Sequence, residues 1–228
     1  MAELADAERF LRGRLGAGLR VDFPLASLTS FRIGGPAALF VEAEDDDALR
    51  AVGETAAVTA VPVTVIGKGS NVLIADEGFP GIVVRLGRGY RWAARDGERL
   101  TAGGAMALPA LAGIAMRHHL AGLEFGVAIP ASLGGAVRMN AGAHDGSMSD
   151  VVEAIDLFVL SEGERRHVDT TEHPAAERVT EPRRLRPAVT RRTIDERDAG
   201  QKERRSADGE HDVGVAPAMT VDQRCRQR

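Results

Sequence analysis

The chain has 228 residues, a formal net charge of −4 and an apolar fraction of 44%, enough for one medium domain or two small ones with a real core. That charge gives no electrostatic case for nucleic acid or an anionic membrane surface, and no stretch approaches the ~18 uninterrupted apolar residues of a spanning helix. The single cysteine, Cys225, excludes an internal disulfide framework. With no basic-then-apolar leader at the N-terminus, a cytoplasmic protein is expected.

Leu4, Ala7, Leu11 and Leu15 recur at helical spacing and predict an amphipathic helix within residues 1–19. Ala38 to Ala43 reads as a short apolar strand. Asp45-Asp46-Asp47 supplies cap candidates and negative charge for a helix through Leu49, Val52 and Ala56. Val61 to Ile66 and Gly81 to Leu86 read as buried strands. Residues 92–100 read as a hairpin turning at Asp96-Gly97. Leu108, Leu111, Ile114 and Ala115 mark a helix, Val151 to Leu160 a strand, and Glu164 to Val168 its return. Strand pairs mixed with helices indicate an α+β fold.

The texture changes near Asp169. No aromatic residue follows Phe158, and Leu185 and Ile194 are the last leucine and the last isoleucine. Such a segment cannot offset the roughly 1–2 kcal/mol per residue of ordering entropy, so residues 169–228 are expected to be disordered. Their Arg-, Ala-, Pro- and Thr-rich composition is what GC-rich codons give when read out of frame, and a shifted frame is the expected origin.

Three glycine-rich stretches carry the chemistry. Gly67-Lys68-Gly69-Ser70-Asn71-Val72-Leu73 follows a strand. Its glycines let the backbone curl, and successive N–H groups in such a turn form a nest for anionic oxygens. Taken alone, it is equally an ordinary strand-to-strand turn. It is not a P-loop, because Pro62 and Gly69 stand in the wrong places, and it is not a dinucleotide fingerprint, because Val72 replaces the third glycine. The stretch from Ile129 to His144 offers Pro130 and Ser132 as a helix start, then Gly134-Gly135. Those glycines are poor helix residues unless something packs close to the backbone; a flat ring system and tight helix–strand packing both qualify. Thr29-Ser30-Phe31-Arg32-Ile33-Gly34-Gly35-Pro36 is a turn signal.

In this order, Thr29 with Arg32-Ile33-Gly34-Gly35, residues 67–73, Gly122-Leu123-Glu124-Phe125 and residues 129–143 resemble the FAD-binding part of the UDP-N-acetylenolpyruvoylglucosamine reductase family. That family lies within the vanillyl-alcohol-oxidase (PCMH) type of flavoprotein. The resemblance covers about residues 20–168 and departs at Ala131, where the family usually has glycine. It implies an FAD-binding domain of two small α/β subdomains, about 20–88 and 89–168, with residues 169–228 replacing a substrate domain. It implies non-covalent FAD, NADPH as co-substrate and a UDP-sugar enolpyruvate reduced to UDP-N-acetylmuramate for peptidoglycan, by a cytoplasmic monomer. By the same resemblance, residues 67–73 cradle the pyrophosphate. Arg32, Gly34, Gly35, Ile129, Ser132, Gly134, Gly135, Asn140, Ala141 and Gly142 lie along the flavin.

The family's catalytic motifs, Tyr-Arg-x-Ser, Asn-Ala-Gly-Ser and a C-terminal Glu, do not occur here, and Arg183-Arg184 is no substitute for Tyr-Arg. No catalytic residue is therefore named, and the chain is expected to be truncated and impaired. A flavin-binding protein without catalysis is one alternative, and a related oxidase tethering FAD through histidine is another. No metal site is expected. His118-His119 are adjacent and point apart on a helix, His144 is a loop residue that could meet substrate, Glu124 a local cap, and Cys225 inert.

Overall fold

Helix α1 spans Ala2–Leu15 and buries Ala7 and Leu11, the inward face of the predicted stripe. The computed structural model describes residues 2–169 and 214–222, the latter through their backbone. Strand β1, Leu19–Pro24, leads into β2, Pro36–Ala43. Helix α2, Asp46–Thr59, starts at Asp45, whose carboxylate accepts the Ala48 N–H at 2.9 Å. That bond satisfies one of the helix's orphan donors. Strands β3, Val63–Val65, and β4, Phe79–Leu86, follow.

These strands form a four-stranded sheet in the order β1-β2-β4-β3, antiparallel at β1–β2 and parallel at β2–β4 and β4–β3. Both faces of its centre are buried. Leu39, Val41, Ile82 and Val84 pack toward α1 and α2, whereas Phe40 and Val83 face Leu25 and Ile66 on the other side. The alternation along β2 and β4 produces this division. Strand β3 lies at the edge with Val65 exposed, so the buried strand expected at 61–66 is buried only at its ends, Val61 and Ile66.

The second sheet contains β5, Ala93–Asp96, β6, Arg99–Gly103, β9, Val152–Val159, β10, Glu164–Asp169, and β11, Gly214–Asp222. Between β6 and β9 come helix α3, Leu108–Arg117, helix α4, Leu133–Arg138, and the two-residue strands β7, Gly142–Ala143, and β8, Gly146–Ser147. Two helices against this sheet bury Leu100, Leu108, Leu111, Leu133 and Ile155. Phe158 and Leu160, at the end of β9, belong instead to the first core with α2, which joins the two layers. The β5–β6 hairpin pairs Asp96 with Arg99, so its loop is Gly97-Glu98 rather than the expected Asp96-Gly97. The φ of +59° at Gly97 explains the shift, since glycine is favoured at the first loop position of such a turn.

Every pairing in the second sheet is antiparallel, in the order β10-β9-β11-β6-β5. The middle place belongs to β11. Of the segment expected to be disordered, Gly214–Asp222 is therefore a strand, and Asp169 closes β10. The remainder of that segment, with Arg183-Arg184 and Cys225, lies outside the described residues. Pro217 falls at a shift of register between Val215 and Ala218, the position in a central strand where a missing N–H is tolerated.

Candidate functional site

Two loops and the first turn of a helix come together. The loop of residues 67–74 leaves β3, and the loop of 28–35 wraps onto it: Ser30 N–H donates to the Gly69 carbonyl at 3.1 Å and Gly35 N–H to the Ala75 carbonyl at 2.8 Å. Thr29, buried to 6% exposure, ties its hydroxyl to the Ile33 carbonyl at 3.0 Å and so fixes the bend that follows. Arg32 takes a φ of +55° there. The third element is the N-terminal turn of α4. A Cβ placed on Gly67 would lie 2.4 Å from Ser132 Oγ and 4.0 Å from the Gly135 Cα.

The packing leaves no room for side chains at these glycines. A Cβ on Gly69 would stand 2.2 Å from the Leu28 carbonyl oxygen, and one on Gly35 2.1 Å from that of Asp76. With φ at +63°, Gly69 also holds a conformation that L side chains rarely adopt.

Polar groups of these elements divide into used and unused. The first turn of α4 is spent internally: Leu133 N–H donates to the Met106 carbonyl at 2.8 Å, Gly134 N–H to that of Gly104 at 2.9 Å, and Gly135 N–H to Ser132 Oγ at 3.3 Å. By contrast, the N–H groups of Lys68, Gly69, Ser70 and Asn71 meet no acceptor among the described residues. Consecutive free donors on a curled backbone suit anionic oxygens. On the same two loops, large apolar side chains are exposed: Leu73 to 76% and Phe31 to 63%, with Ile33 close behind. Apolar surface of this kind, beside polar donors, is the composition of a ligand groove. The sequence assigns Phe31 no role, because an exposed hydrophobic cannot be told from a buried one without the fold.

The structure thus brings together Arg32, Gly34, Gly35, residues 67–73, Ser132 and Gly135, with Gly134 on the same turn as Ser132 and Ile129 before that turn, at the end of the 3-10 segment Glu124–Ala128. Asn140, Ala141 and Gly142 lie at the other end of α4, about 9 Å along a six-residue helix. There Asn140, with φ at +42°, ends the helix, Ala141 N–H donates back to Ala136, and Asn140 Oδ1 accepts the Ser149 N–H at 2.9 Å. No hydrogen bond between described residues links these three to residues 67–73. Ala131 is buried in the second core and has no positive φ, so its methyl is accommodated.

The remaining candidates have local explanations. Glu124 accepts the Gly122 N–H at 2.7 Å, a bond back to the preceding turn rather than a cap on the following 3-10 segment, Glu124–Ala128, which has no side-chain cap. His144 and Asp145, with φ of +51° and +64°, form the two-residue loop of the β7–β8 hairpin. His119 ends α3 with φ at +57°. No group of three or more potential metal ligands occurs among the described residues, and no described helix is long and apolar enough to cross a membrane.

One polar cluster stands apart, in a depression of about 310 Å³ lined by Glu44, Asp45, Asp46, Gly89, Tyr90, Trp92 and Arg165. The Tyr90 hydroxyl donates to Asp46 Oδ1 at 2.8 Å, and Arg165 holds both carboxylate oxygens at 2.6 and 2.9 Å. The bond from Arg165 keeps the Asp46 carboxyl below its ordinary range despite partial burial, and burial together with the Asp46 carboxylate pushes Tyr90 ionisation up. The Asp46 carboxylate is shared between the Tyr90 hydroxyl and the Arg165 guanidinium, so the cluster reads as a clamp between α2 and β10.

Comparison with known proteins completes the picture. The FAD binding domain family matches residues 37–169. The UDP-N-acetylenolpyruvoylglucosamine reductase of Heliobacterium modesticaldum is 47% identical over 135 residues, 59% of this chain and 43% of that protein. The crystal structure of UDP-N-acetylenolpyruvylglucosamine reductase from Thermus caldophilus superposes with a TM-score of 0.61 at 29% identity, covering 89% of this chain and 62% of that one. p-Cresol methylhydroxylase shares the fold alone, with a TM-score of 0.58 at 11% identity, covering 97% of this chain and 43% of that one. The architecture is thus the vanillyl-alcohol-oxidase type, and the chain spans about half the length of the curated relatives it matches. By the match over residues 37–169, more than half its length, the chain belongs to the FAD binding domain family, and the relatives it resembles there are UDP-N-acetylenolpyruvoylglucosamine reductases.

Proposed function

We propose that the chain binds FAD non-covalently in the cleft between its two sheets, as the cofactor-holding half of a reductase. The substrate of that reductase is UDP-N-acetylglucosamine enolpyruvate, its reductant NADPH and its product UDP-N-acetylmuramate. The observation that carries the reading is the run of free N–H groups at Lys68, Gly69, Ser70 and Asn71, set where a Cβ at Gly67 or Gly69 has no space. FAD fits these residues: its pyrophosphate needs consecutive donors on a close backbone, and its rings need apolar walls such as Phe31, Ile33 and Leu73.

Bound FAD would supply hydride transfer. The chain's own contribution is to hold and orient. Residues 67–73 carry the pyrophosphate, Arg32, Gly34 and Gly35 with Ile129, Ser132, Gly134 and Gly135 flank the ring system, and Asn140, Ala141 and Gly142 extend the wall. The binding unit is residues 20–168 in two subdomains meeting near residue 88, working as a monomer in the cytoplasm. The Arg, Ser and Glu motifs that complete this chemistry in the family are absent from the sequence, which favours flavin binding with impaired turnover.

The test is the flavin spectrum of purified protein, or of protein refolded with FAD, followed by trichloroacetic acid. Flavin absorption that acid releases into the supernatant supports the reading. Flavin that stays with the pellet supports covalent attachment as in an oxidase, and no flavin after refolding removes the site assignment.

A further inference from the structure

The free donors and the glycine cradle belong to the first sheet's loops, but the wall opposite them hangs from the second sheet through one short path. The Ala218 backbone pairs with Gly103, the last residue of β6. Immediately after it, the Gly104 and Met106 carbonyls accept the N–H groups of Gly134 and Leu133, and Ala107 bridges to Ser132. Ser132 Oγ in turn occupies the space beside Gly67. Thus β11 sets the end of β6, that end sets the first turn of α4, and that turn sets one side of the loop at 67–71. On its other edge β11 is the only bridge between the β5–β6 hairpin and the β9–β10 hairpin among the described residues. Roughly 45 residues separate β10 from β11, and bringing two strands so far apart in sequence together carries an entropy cost that grows only slowly with separation but must still be met.

We propose that insertion of strand 214–222 between β6 and β9 is coupled to FAD binding, with this strand acting as a positioning element of the flavin site. The proposal rests on the FAD reading of the cleft. Coupling of this kind is reciprocal: the strand raises FAD affinity, and FAD holds the strand in.

Two measurements on the full chain test it. A proline at position 219, where β11 pairs in regular register with both Ala102 and Ile155, deletes one backbone N–H in a central strand, whereas valine keeps it. Met219→Pro should weaken FAD binding by roughly 5- to 150-fold, the ordinary range of such couplings, and Met219→Val should bind like the unaltered protein. Hydrogen exchange on the unaltered protein needs no variant to fold: saturating FAD should slow the amides of 68–71 and also those of 214–222. A folded Met219→Pro protein with unchanged FAD affinity overturns the coupling. So does protection by FAD at 68–71 without any at 214–222. An unaltered protein that shows no flavin binding and no protection at 68–71 overturns the FAD reading itself, and the coupling with it.

Discussion

Ser132 Oγ lies 2.4 Å from the point a Cβ on Gly67 would occupy, so one hydroxyl both caps α4 and fills the space beside that glycine. Gly67→Ala must therefore push Ser132 off the Gly135 N–H, at about 1 kcal/mol for the lost cap. FAD affinity should fall about tenfold or more, as read by quenching of flavin fluorescence. Adding Ser132→Gly to Gly67→Ala removes the clash and should recover part of that affinity. Strictly additive losses in this double-mutant cycle would show that the two residues do not share the site.

Gly69→Val is the harsher change. The obstacle is backbone, the Leu28 carbonyl at 2.2 Å, and the left-handed φ adds about 1–3 kcal/mol for a branched residue. Purified Gly69→Val protein should carry less flavin than Gly67→Ala and melt at a lower temperature. Flavin content equal to that of the unaltered protein would remove residues 67–73 from the pyrophosphate site.

The Asp46 clamp gives a dependence on pH at both ends. Arg165 lowers the Asp46 pKa from the usual 3.8, so folding favours the carboxylate. Its contribution is full above 3.8 and disappears as pH falls through the lowered folded value. Burial and Asp46 raise the Tyr90 pKa from the usual 10.0, so its contribution is full below 10.0 and declines as pH rises beyond it. Asp46→Asn should lose less stability than the unaltered protein between pH 5 and pH 2, and Tyr90→Phe less between pH 9 and pH 11. Urea midpoints at those four values measure both slopes, and slopes unchanged by either substitution would place the pH response elsewhere.

Turnover is the fourth expectation. Without the family's proton-donor motif, these 228 residues lack a factor of roughly 10²–10⁴. Incubation with FAD, NADPH and UDP-N-acetylglucosamine enolpyruvate should yield no substrate-dependent UDP-N-acetylmuramate. Product must be measured rather than NADPH loss, because free flavin passes electrons to oxygen. Product at about 1 per second or faster, an ordinary enzyme rate, would show that the chemistry is complete.

Periodicity made α1, α2, α3, β2, β4 and β9 legible, because each has an apolar face buried in one of the two main cores. Strand β1 escaped because it is nearly all exposed: only Leu19 is buried, and Arg20 and Asp22 interrupt any pattern. Strand β11 escaped for the opposite reason. It occupies a central place while carrying Pro217 and lying in a charged, aromatic-free segment, so composition and position disagree. The glycine loops were visible because their function restricts residue type directly. The Asp46–Tyr90–Arg165 clamp was not, since its members lie 44 and 119 positions from Asp46 and nothing local marks them as partners.

The middle position of β11 has a consequence for synthesis. Its partners β6 and β9 leave the ribosome well before it, and at roughly 5–20 residues per second the roughly 45 residues between Asp169 and Gly214 take several seconds to follow. Throughout that interval both hairpins present an unpaired edge flanking an open slot, the surface on which nascent chains cross-associate. Yield in cells should therefore depend on chaperone supply and translation speed more steeply than the stability of the finished fold suggests.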